Sequence, residues 1–288
     1  SGLAWSFLGP ARLAALGQMV PADKLKPASI IFNLQVLVGF GLAPVLIGLV
    51  RSHCGWAAVF ALAISLFVLA SLMLWGMKTA GNAQPSRGVL PEMAEGFGAV
   101  RANPLLQQLV LAAVLAFAMT GPMQILLPKL AKEVLGLSEL QRGAYLGMMA
   151  LTLIMGGVAA LLLGKHLHHG IAIFAGTTVA SLLFASLSHW TNAAASAAAL
   201  GCMGVLGGMV ISLVVAGIQG QAPPALRGRV MGIYSIISQV IPAASGVMAG
   251  AVVRSAGITQ AIFVAGFGLA SMAVLAAVLM PQLRKTRS

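Results

Sequence analysis

Long apolar runs, separated by short polar segments, make up almost the whole chain. Nine runs approach or exceed the roughly 20 residues that an α-helix needs to cross a bilayer. They cover residues 1–20, 28–50, 56–77, 105–127, 143–164, 170–188, 193–219, 230–253 and 260–280. Strand-like alternation is absent from the sequence, and backbone groups in lipid must be satisfied internally. The pattern therefore predicts an all-α polytopic membrane protein with about nine transmembrane helices.

Composition supports a membrane location and excludes several classes of protein. Of the 288 residues, 59% are apolar and 8% are charged, whereas soluble domains contain about 25% charged residues. So little charge cannot cover a soluble fold of this length. The net charge of +12 comes from Lys and Arg in short clusters between the apolar runs. A soluble enzyme is excluded, nucleic-acid binding is disfavoured, and the lipid bilayer is the expected partner.

The charges between the runs predict an orientation. Cytoplasmic loops of membrane proteins are enriched in Lys and Arg, and the two sides of this chain carry twelve and five such residues. The twelve are Arg12, Lys24, Lys26, Lys78, Arg87, Arg101, Lys165, Arg227, Arg229, Arg284, Lys285 and Arg287. The five are Arg51, Lys129, Lys132, Arg142 and Arg254. The twelve-charge side, which includes the C-terminus, is therefore predicted to be cytoplasmic.

The longest polar segment divides the chain into two helical parts. Residues 78–104 are predicted to form a cytoplasmic linker between three spans in residues 1–77 and six spans in residues 105–280. Residues 281–288 form a basic cytoplasmic tail. Because the chain starts inside an apolar run, without the features of a signal peptide, we expect it to be a fragment of a longer protein.

Two regions of the sequence resemble each other. Pro21-Ala22-Asp23-Lys24-Leu25-Lys26 precedes a span that contains Pro44, and Pro223-Pro224-Ala225-Leu226-Arg227-Gly228-Arg229 precedes a span that contains Pro242. Six spans separate one region from the other. Parallel six-helix repeats are a known plan of membrane transporters.

Three motifs resemble those of major facilitator superfamily transporters, in particular the branch of the enterobactin exporter and related drug efflux permeases. They are Gly9-Pro10-Ala11-Arg12 with residues 19–25, Gly39-x-x-x-Ala43-Pro44-x-x-Ile47-Gly48, and Pro223-Pro224-x-Leu226-Arg227-Gly228-Arg229-Val230-Met231-Gly232. The resemblance implies helices four to twelve of a twelve-helix transporter, with an incomplete N-terminal half. It also implies a bacterial inner-membrane protein, monomeric and without a cofactor, that moves small molecules by alternating access.

Prolines and glycines are the candidate gating and packing residues. They are Gly39, Pro44, Gly48, Gly246 and Pro242, together with Arg227, Gly228 and Arg229 of the third motif. Each of the two prolines removes a backbone hydrogen bond in mid-span, and the glycines allow close packing. Two interpretations stay open: the helices bend as gates, or they hold a static kink filled by packing.

Few polar side chains lie within the predicted spans. The candidates for a substrate path are Asn33, Gln35, Thr120, Gln124, Tyr234, Gln239 and Arg12. Because polar groups that face lipid are costly, we expect these side chains to face a central cavity or a neighbouring helix. They either contact substrate or form interhelical hydrogen bonds. Arg12 either binds an anionic group or extends to the cytoplasmic surface.

The sequence disfavours chemistry within the membrane. All five Asp and Glu lie outside the predicted spans, so an intramembrane enzyme lacks its usual groups. Coupling to protons would require a titratable group elsewhere. His166, His168 and His169 have no accompanying carboxylate or thiol, which favours a basic loop over a metal site.

The predicted function is therefore secondary active transport. The mostly apolar spans with scattered amides suit an exporter of small amphipathic molecules, such as drugs or siderophores. A lysophospholipid flippase of the same fold and a truncated chain without transport activity are the alternatives.

Overall fold

A computed structural model of the chain describes residues 25–75, 89–164, 168–223 and 226–285. Within these ranges every regular element is a helix. The elements are α1 (Leu25–Leu74), α2 (Val89–Ala102), α3 (Pro104–Lys129), α4 (Glu139–Leu163), α5 (His169–Ser186), α6 (Ala193–Gln221), α7 (Arg227–Leu279) and α8 (Pro281–Lys285), with a π-helical turn at Leu130–Val134 and a 3₁₀ turn at Leu187–His189.

Single glycines break the two longest helices. Gly55 in α1 has φ 75° and ψ −177°, and Gly257 in α7 has φ 83° and ψ 172°. This region of backbone space is essentially restricted to glycine. The resulting segments are 25–54 and 56–74 of α1 and 227–256 and 258–279 of α7. Each loop predicted between these paired spans is therefore reduced to a single glycine. The same kind of break occurs in both of the regions whose sequences resemble each other.

The predicted membrane fold is confirmed for the part of the chain that the structure describes. Six helices are long and apolar enough to cross a membrane, and the glycine breaks divide α1 and α7 into the predicted pairs of spans. The predicted span at residues 1–20 lies outside the described residues. The predicted linker, residues 78–104, contains the helix α2, which packs against α7 and the start of α3.

Helix α4 begins one polar turn earlier than the sequence predicts. The apolar run begins at residue 143, whereas the helix begins at Glu139. The Gln141 backbone N–H donates to Ser138 Oγ at 3.4 Å, and the Ser138 N–H donates to Gln141 Oε1 at 2.9 Å. This reciprocal cap stabilises a first turn that hydropathy does not detect, and it places Glu139 in the helix.

Helices α3 to α7 form a bundle with two hydrophobic layers. The layer at the end where α2 and α8 pack, which we call the linker end, includes Val100, Leu106, Leu109, Ile173, Leu213, Ile218, Val230 and Leu283. The layer at the opposite, far end includes Leu126, Leu130, Tyr145, Phe184, Leu187, Leu200 and Ile262. The second segment of α1 instead exposes its large apolar side chains, as expected of a helix that faces lipid.

Glycines set the distance between helices within the bundle. A Cβ on Gly156 of α4 would overlap Val205 O of α6, and a Cβ on Gly208 of α6 would overlap Leu153 O of α4. The backbones of α4 and α6 therefore lie in direct contact. Close approach of this kind is how helices associate in lipid, where apolar burial gives no driving force.

The glycine breaks predict opposite effects of two alanine substitutions in α7. Gly257→Ala should destabilise the protein by about 1–3 kcal/mol, because alanine is strained at this backbone conformation. Gly268→Ala lies in open space on the same helix and should stabilise it by about 0.5–1 kcal/mol. Thermal unfolding in detergent measures both, and equal midpoints for the two variants would contradict the assigned break.

Candidate functional site

The helix α1 reaches the bundle through α4, at a contact between backbones. A Cβ on Gly143 would lie 2.5 Å from Pro44 O, and a Cβ on Gly48 would lie 2.8 Å from Glu139 O. Glycine on both helices therefore permits the close approach. We call Pro44, Gly48, Arg51, Glu139 and Gly143 the α1–α4 junction. It contains two of the predicted gating residues, Pro44 and Gly48, and it joins α1 to the bundle.

A cluster of charges closes the junction at its far end. Arg51 Nη2 lies 2.7 Å from Glu139 Oε1, and Arg142 Nη2 lies 3.6 Å from the same oxygen. The Arg51 guanidinium also lies 4.3 Å from the ring centroid of Trp56, beyond the glycine break. Each member of the Arg51–Glu139 pair therefore has a second partner on its own helix, Trp56 for Arg51 and Arg142 for Glu139.

Arg142 is the least satisfied of these charges. Its Nε is buried, and the described residues give it no hydrogen-bond partner. Two guanidinium groups thus share one carboxylate. From the sequence, Arg51 and Arg142 were counted only as charged residues of loops. Their common partner could not be recognised, because Glu139 is distant in sequence from Arg51 and lies outside the apolar run.

Neither predicted proline breaks its helix. Within α1 and α7 as described, the non-helical backbone angles fall at the two break glycines and not at Pro44 or Pro242. Pro44 O lies against Gly143, and a Cβ on Gly121 of α3 would overlap Pro242 O. Both prolines thus place their carbonyl against a glycine of another helix, and Gly246 adds to the second contact with its N 2.6 Å from the Gly121 Cβ position.

A buried hydrogen bond holds α4 to α6 near the junction. The hydroxyls of Tyr145 and Ser196 are 2.8 Å apart, and both side chains are buried. Tyr145 follows Gly143 by two residues, so this bond fixes the end of α4 that contacts α1. Sequence reasoning missed the pair, since the two residues are 51 positions apart and neither stands out locally.

The structure places four of the predicted substrate-path residues on α3 and α7. The ring of Tyr234 meets Phe117 edge-on, with centroids 5.5 Å apart. Thr120 is half-buried three residues beyond Phe117, and Gln124 and Gln239 are exposed. Tyr234 of α7 therefore contacts the face of α3 that contains Phe117 and Thr120.

The structure does not describe the side chains of the other predicted substrate-path residues. Asn33 and Gln35 lie in α1, where the structure describes the backbone, and Arg12 lies outside the described residues. They stay predictions.

The predicted residues at the start of α7 divide into two groups. Arg229 forms an ion pair with Glu95 of α2, and Gly96 packs with its Cβ position 3.2 Å from Arg229 O. Arg227 and Gly228 are exposed. Arg229 therefore fastens the linker helix to α7, and its acidic partner was missed because α2 lies outside every predicted span.

The predicted gating or packing role of Gly39 and Gly228 stays a prediction. Both are exposed, and a Cβ at either position would meet no described atom within 4 Å. Gly48, Gly143 and Gly121, in contrast, face another described helix.

Comparison with known families decides the assignment. The model of the Major Facilitator Superfamily matches residues 1–246, most of the chain and both segments of the α1–α4 junction. The chain belongs to the major facilitator superfamily. Members of this superfamily are transporters, so this facilitator is an integral membrane transporter of small molecules.

A solved structure shares the fold. It is that of a bacterial homologue of the human lysosomal transporter Spinster, in an inward-facing and unoccupied conformation. The similarity covers 96% of this chain and 73% of that one, with a TM-score of 0.64 and 16% sequence identity. Among curated proteins, none matches the facilitator.

The Tyr145–Ser196 bond predicts a specific energetic coupling. Tyr145→Phe and Ser196→Ala should each destabilise the protein by about 1 kcal/mol. Each substitution removes one hydroxyl and leaves the other buried hydroxyl without its partner. The loss of stability in the double variant should be smaller than the sum of the two single losses by about 0.5–1 kcal/mol. Thermal unfolding of the four proteins gives the coupling. Ser271→Ala, whose hydroxyl bonds within its own helix at 2.9 Å, is the control, and strict additivity would refute the bond.

Proposed function

We propose that this facilitator is a secondary exporter of small amphipathic molecules, and that the α1–α4 junction is one of the contacts that close its path. In this proposal, residues 1–77 belong to the N-terminal half, residues 105–280 form the C-terminal half, and residues 78–104 link them. The carrying observation is the junction itself, where a contact between backbones is combined with a partly exposed ion pair. Alternating access requires such a contact to form and separate reversibly.

The charges at the junction favour reversible opening. Arg51 and Glu139 are each about one third exposed, and ion pairs of this kind contribute only about 0–1 kcal/mol. When α1 moves away, Glu139 keeps Arg142 on its own helix, and Arg51 keeps the ring of Trp56. Separation therefore leaves neither charge without a partner, which keeps the two states close in free energy.

The proposed orientation places the junction at the outer face. The excess of Lys and Arg assigns the linker end to the cytoplasm, in a bacterial inner membrane. A closed junction at the far end then corresponds to an inward-facing state, which is the state described for the similar Spinster homologue.

The aromatic and polar side chains of α3 and α7 suit an amphipathic cargo. Tyr234 and Phe117 offer aromatic area, and the exposed amides of Gln124 and Gln239 are costly unless they face a cavity rather than lipid. Mostly apolar walls with a few polar groups are typical of sites for drug-sized molecules. The resemblance to the enterobactin-exporter branch supports the same cargo class, drugs or siderophores.

A lysophospholipid flippase is the second candidate, favoured by one observation. An open apolar groove of about 490 Å³ lies between α5 and the second segment of α7, with Thr178, Leu182, Phe267 and Ser271 among its lining residues. Its position on the flank of the bundle allows access from the bilayer. The exporter takes precedence because the groove lies away from the junction and the polar residues of α3.

Cross-linking the junction tests the proposed role. Arg51→Cys and Glu139→Cys are combined after Cys54 and Cys202 are replaced by serine, and a short bifunctional thiol reagent joins them. We expect efflux of a fluorescent amphipathic dye from proteoliposomes to fall by about tenfold or more, and to recover when a reducible linker is cleaved. Each single cysteine variant, treated identically, should transport normally.

A second cross-link within the bundle is the matched control. A Cβ at Gly201 would lie 3.7 Å from Thr152 Cγ2, so Thr152→Cys with Gly201→Cys joins α4 to α6 without touching the junction. Transport should continue in this variant. Full dye efflux with the junction completely cross-linked would overturn the proposal, and transport of a fluorescent lysophospholipid without dye efflux would favour the flippase.

A further inference from the structure

The charges at the α1–α4 junction do not balance. Arg51 and Arg142 share one carboxylate oxygen of Glu139, at 2.7 Å and 3.6 Å. Within the described part of the chain, no other acidic side chain forms an ion pair with either arginine. We call Arg51, Glu139 and Arg142 the charge cluster, and it carries an excess of one positive charge.

Arg142 is the member of the charge cluster with unused hydrogen-bonding capacity. A guanidinium has five N–H donors, and the 3.6 Å between its Nη2 and Glu139 Oε1 is longer than an N–H···O hydrogen bond. Its Nε is buried without a partner among the described residues, and the whole side chain is 19% exposed. Because a largely buried charge is costly unless it is paired and hydrogen-bonded, this side chain is suited to an acceptor supplied by a ligand.

The second arginine is held in place beside it. Arg51 contacts Glu139 through Nη2 and lies over the ring of Trp56 at 4.3 Å, so both the edge and the face of its guanidinium are fixed. Guanidinium groups match carboxylates and other oxyanions in shape and charge. One bound group with a single negative charge would give the cluster two positive and two negative charges, whereas a neutral group would leave the excess charge uncompensated.

The charge cluster lies at the end of the proposed path. It closes the junction at the far end, and in the inward-facing state the path is open from the linker end up to this contact. A molecule that enters from the cytoplasm therefore meets the charge cluster as the closed end of its path.

We propose that the charge cluster binds an anionic group of the cargo, with Arg142 as its main donor, and that amphipathic monoanions are the preferred cargo. This inference rests on the proposed function and names its substrate class. The preference arises from affinity, since the anionic group accepts hydrogen bonds from Arg142 and competes with the carboxylate of Glu139 for positive charge. An uncharged amphipathic dye lacks this contact and is carried with lower affinity.

Binding of two probes that differ only in charge tests the proposal. Dansylaminoundecanoate and its primary amide share the same aromatic and apolar parts, and only the first carries a carboxylate. The whole protein in phosphatidylcholine nanodiscs, with empty nanodiscs as the blank, should bind the carboxylate about tenfold more tightly than the amide, because hydrogen bonds between charged groups are the stronger kind. Equal affinity for the two probes would overturn the proposal.

Substitutions in the charge cluster should change the affinity for the carboxylate in opposite directions. Arg142→Gln should lower it about tenfold, and Glu139→Gln should raise it about threefold, because a competing negative charge is removed. Neither substitution should change the affinity for the amide. If Arg142→Gln does not fold, the gain in Glu139→Gln provides the test.

Arg254→Gln is the matched control. It removes the same charge from an exposed position at the far end of the first segment of α7, and it should keep the wild-type affinity for both probes. Equal losses of carboxylate affinity in Arg142→Gln and Arg254→Gln would refute the assignment, as would a lower carboxylate affinity in Glu139→Gln.

Efflux of the same probes from proteoliposomes separates this proposal from the exporter itself. Efflux of both probes by a protein that binds them equally would refute the anion site and leave the exporter standing. A protein that exports neither probe, but binds the carboxylate more tightly through Arg142, would keep the anion site and contradict the exporter.

Discussion

Direct contact between helix backbones at glycines is the constraint on which this structure depends. Lipid removes the hydrophobic driving force between helices, so their association relies on close packing. Gly208 provides such a contact within the bundle, and Gly48 and Gly143 provide it between α1 and the bundle. The two contacts differ in their surroundings. Contacts inside the bundle are supported by two hydrophobic layers. The junction is instead supported by a partly exposed ion pair, which makes it the easier contact to separate.

The spans of this facilitator could be predicted from the sequence because the signal is local. About 20 apolar residues in a row define a membrane helix without any knowledge of its neighbours, and this rule located the helices from α3 to α7. It failed where polar residues belong to helices. The first turn of α4 is held by Ser138 and Gln141, and α2 is a helix within the polar linker. Gly55 and Gly257 were hidden because a single glycine replaces each expected loop.

The candidate site was less predictable because its contacts are distant in sequence. Pro44 and Gly48 were identified by their motif, but the motif contains no information about Gly143, which permits their contact. Arg51 and Glu139 were assigned to different loops, and only the fold brings them within 2.7 Å. Polar residues such as Thr120 were placed on the correct helix, whereas the residue that each one faces depends on packing between helices.

Alternating access through this fold requires two arrangements of the α1–α4 junction, one in contact and one separated. Spin labels at Ser52→Cys and Leu140→Cys, in a protein whose native cysteines are serine, report the distance between the far ends of α1 and α4 by pulsed electron paramagnetic resonance. A second pair, Leu140→Cys with Ala198→Cys, reports on α4 and α6 within the bundle. We predict two distance populations across the junction, which change in proportion when a transported dye is added, and one unchanged population within the bundle. A single short distance across the junction, with and without the dye, would contradict the account.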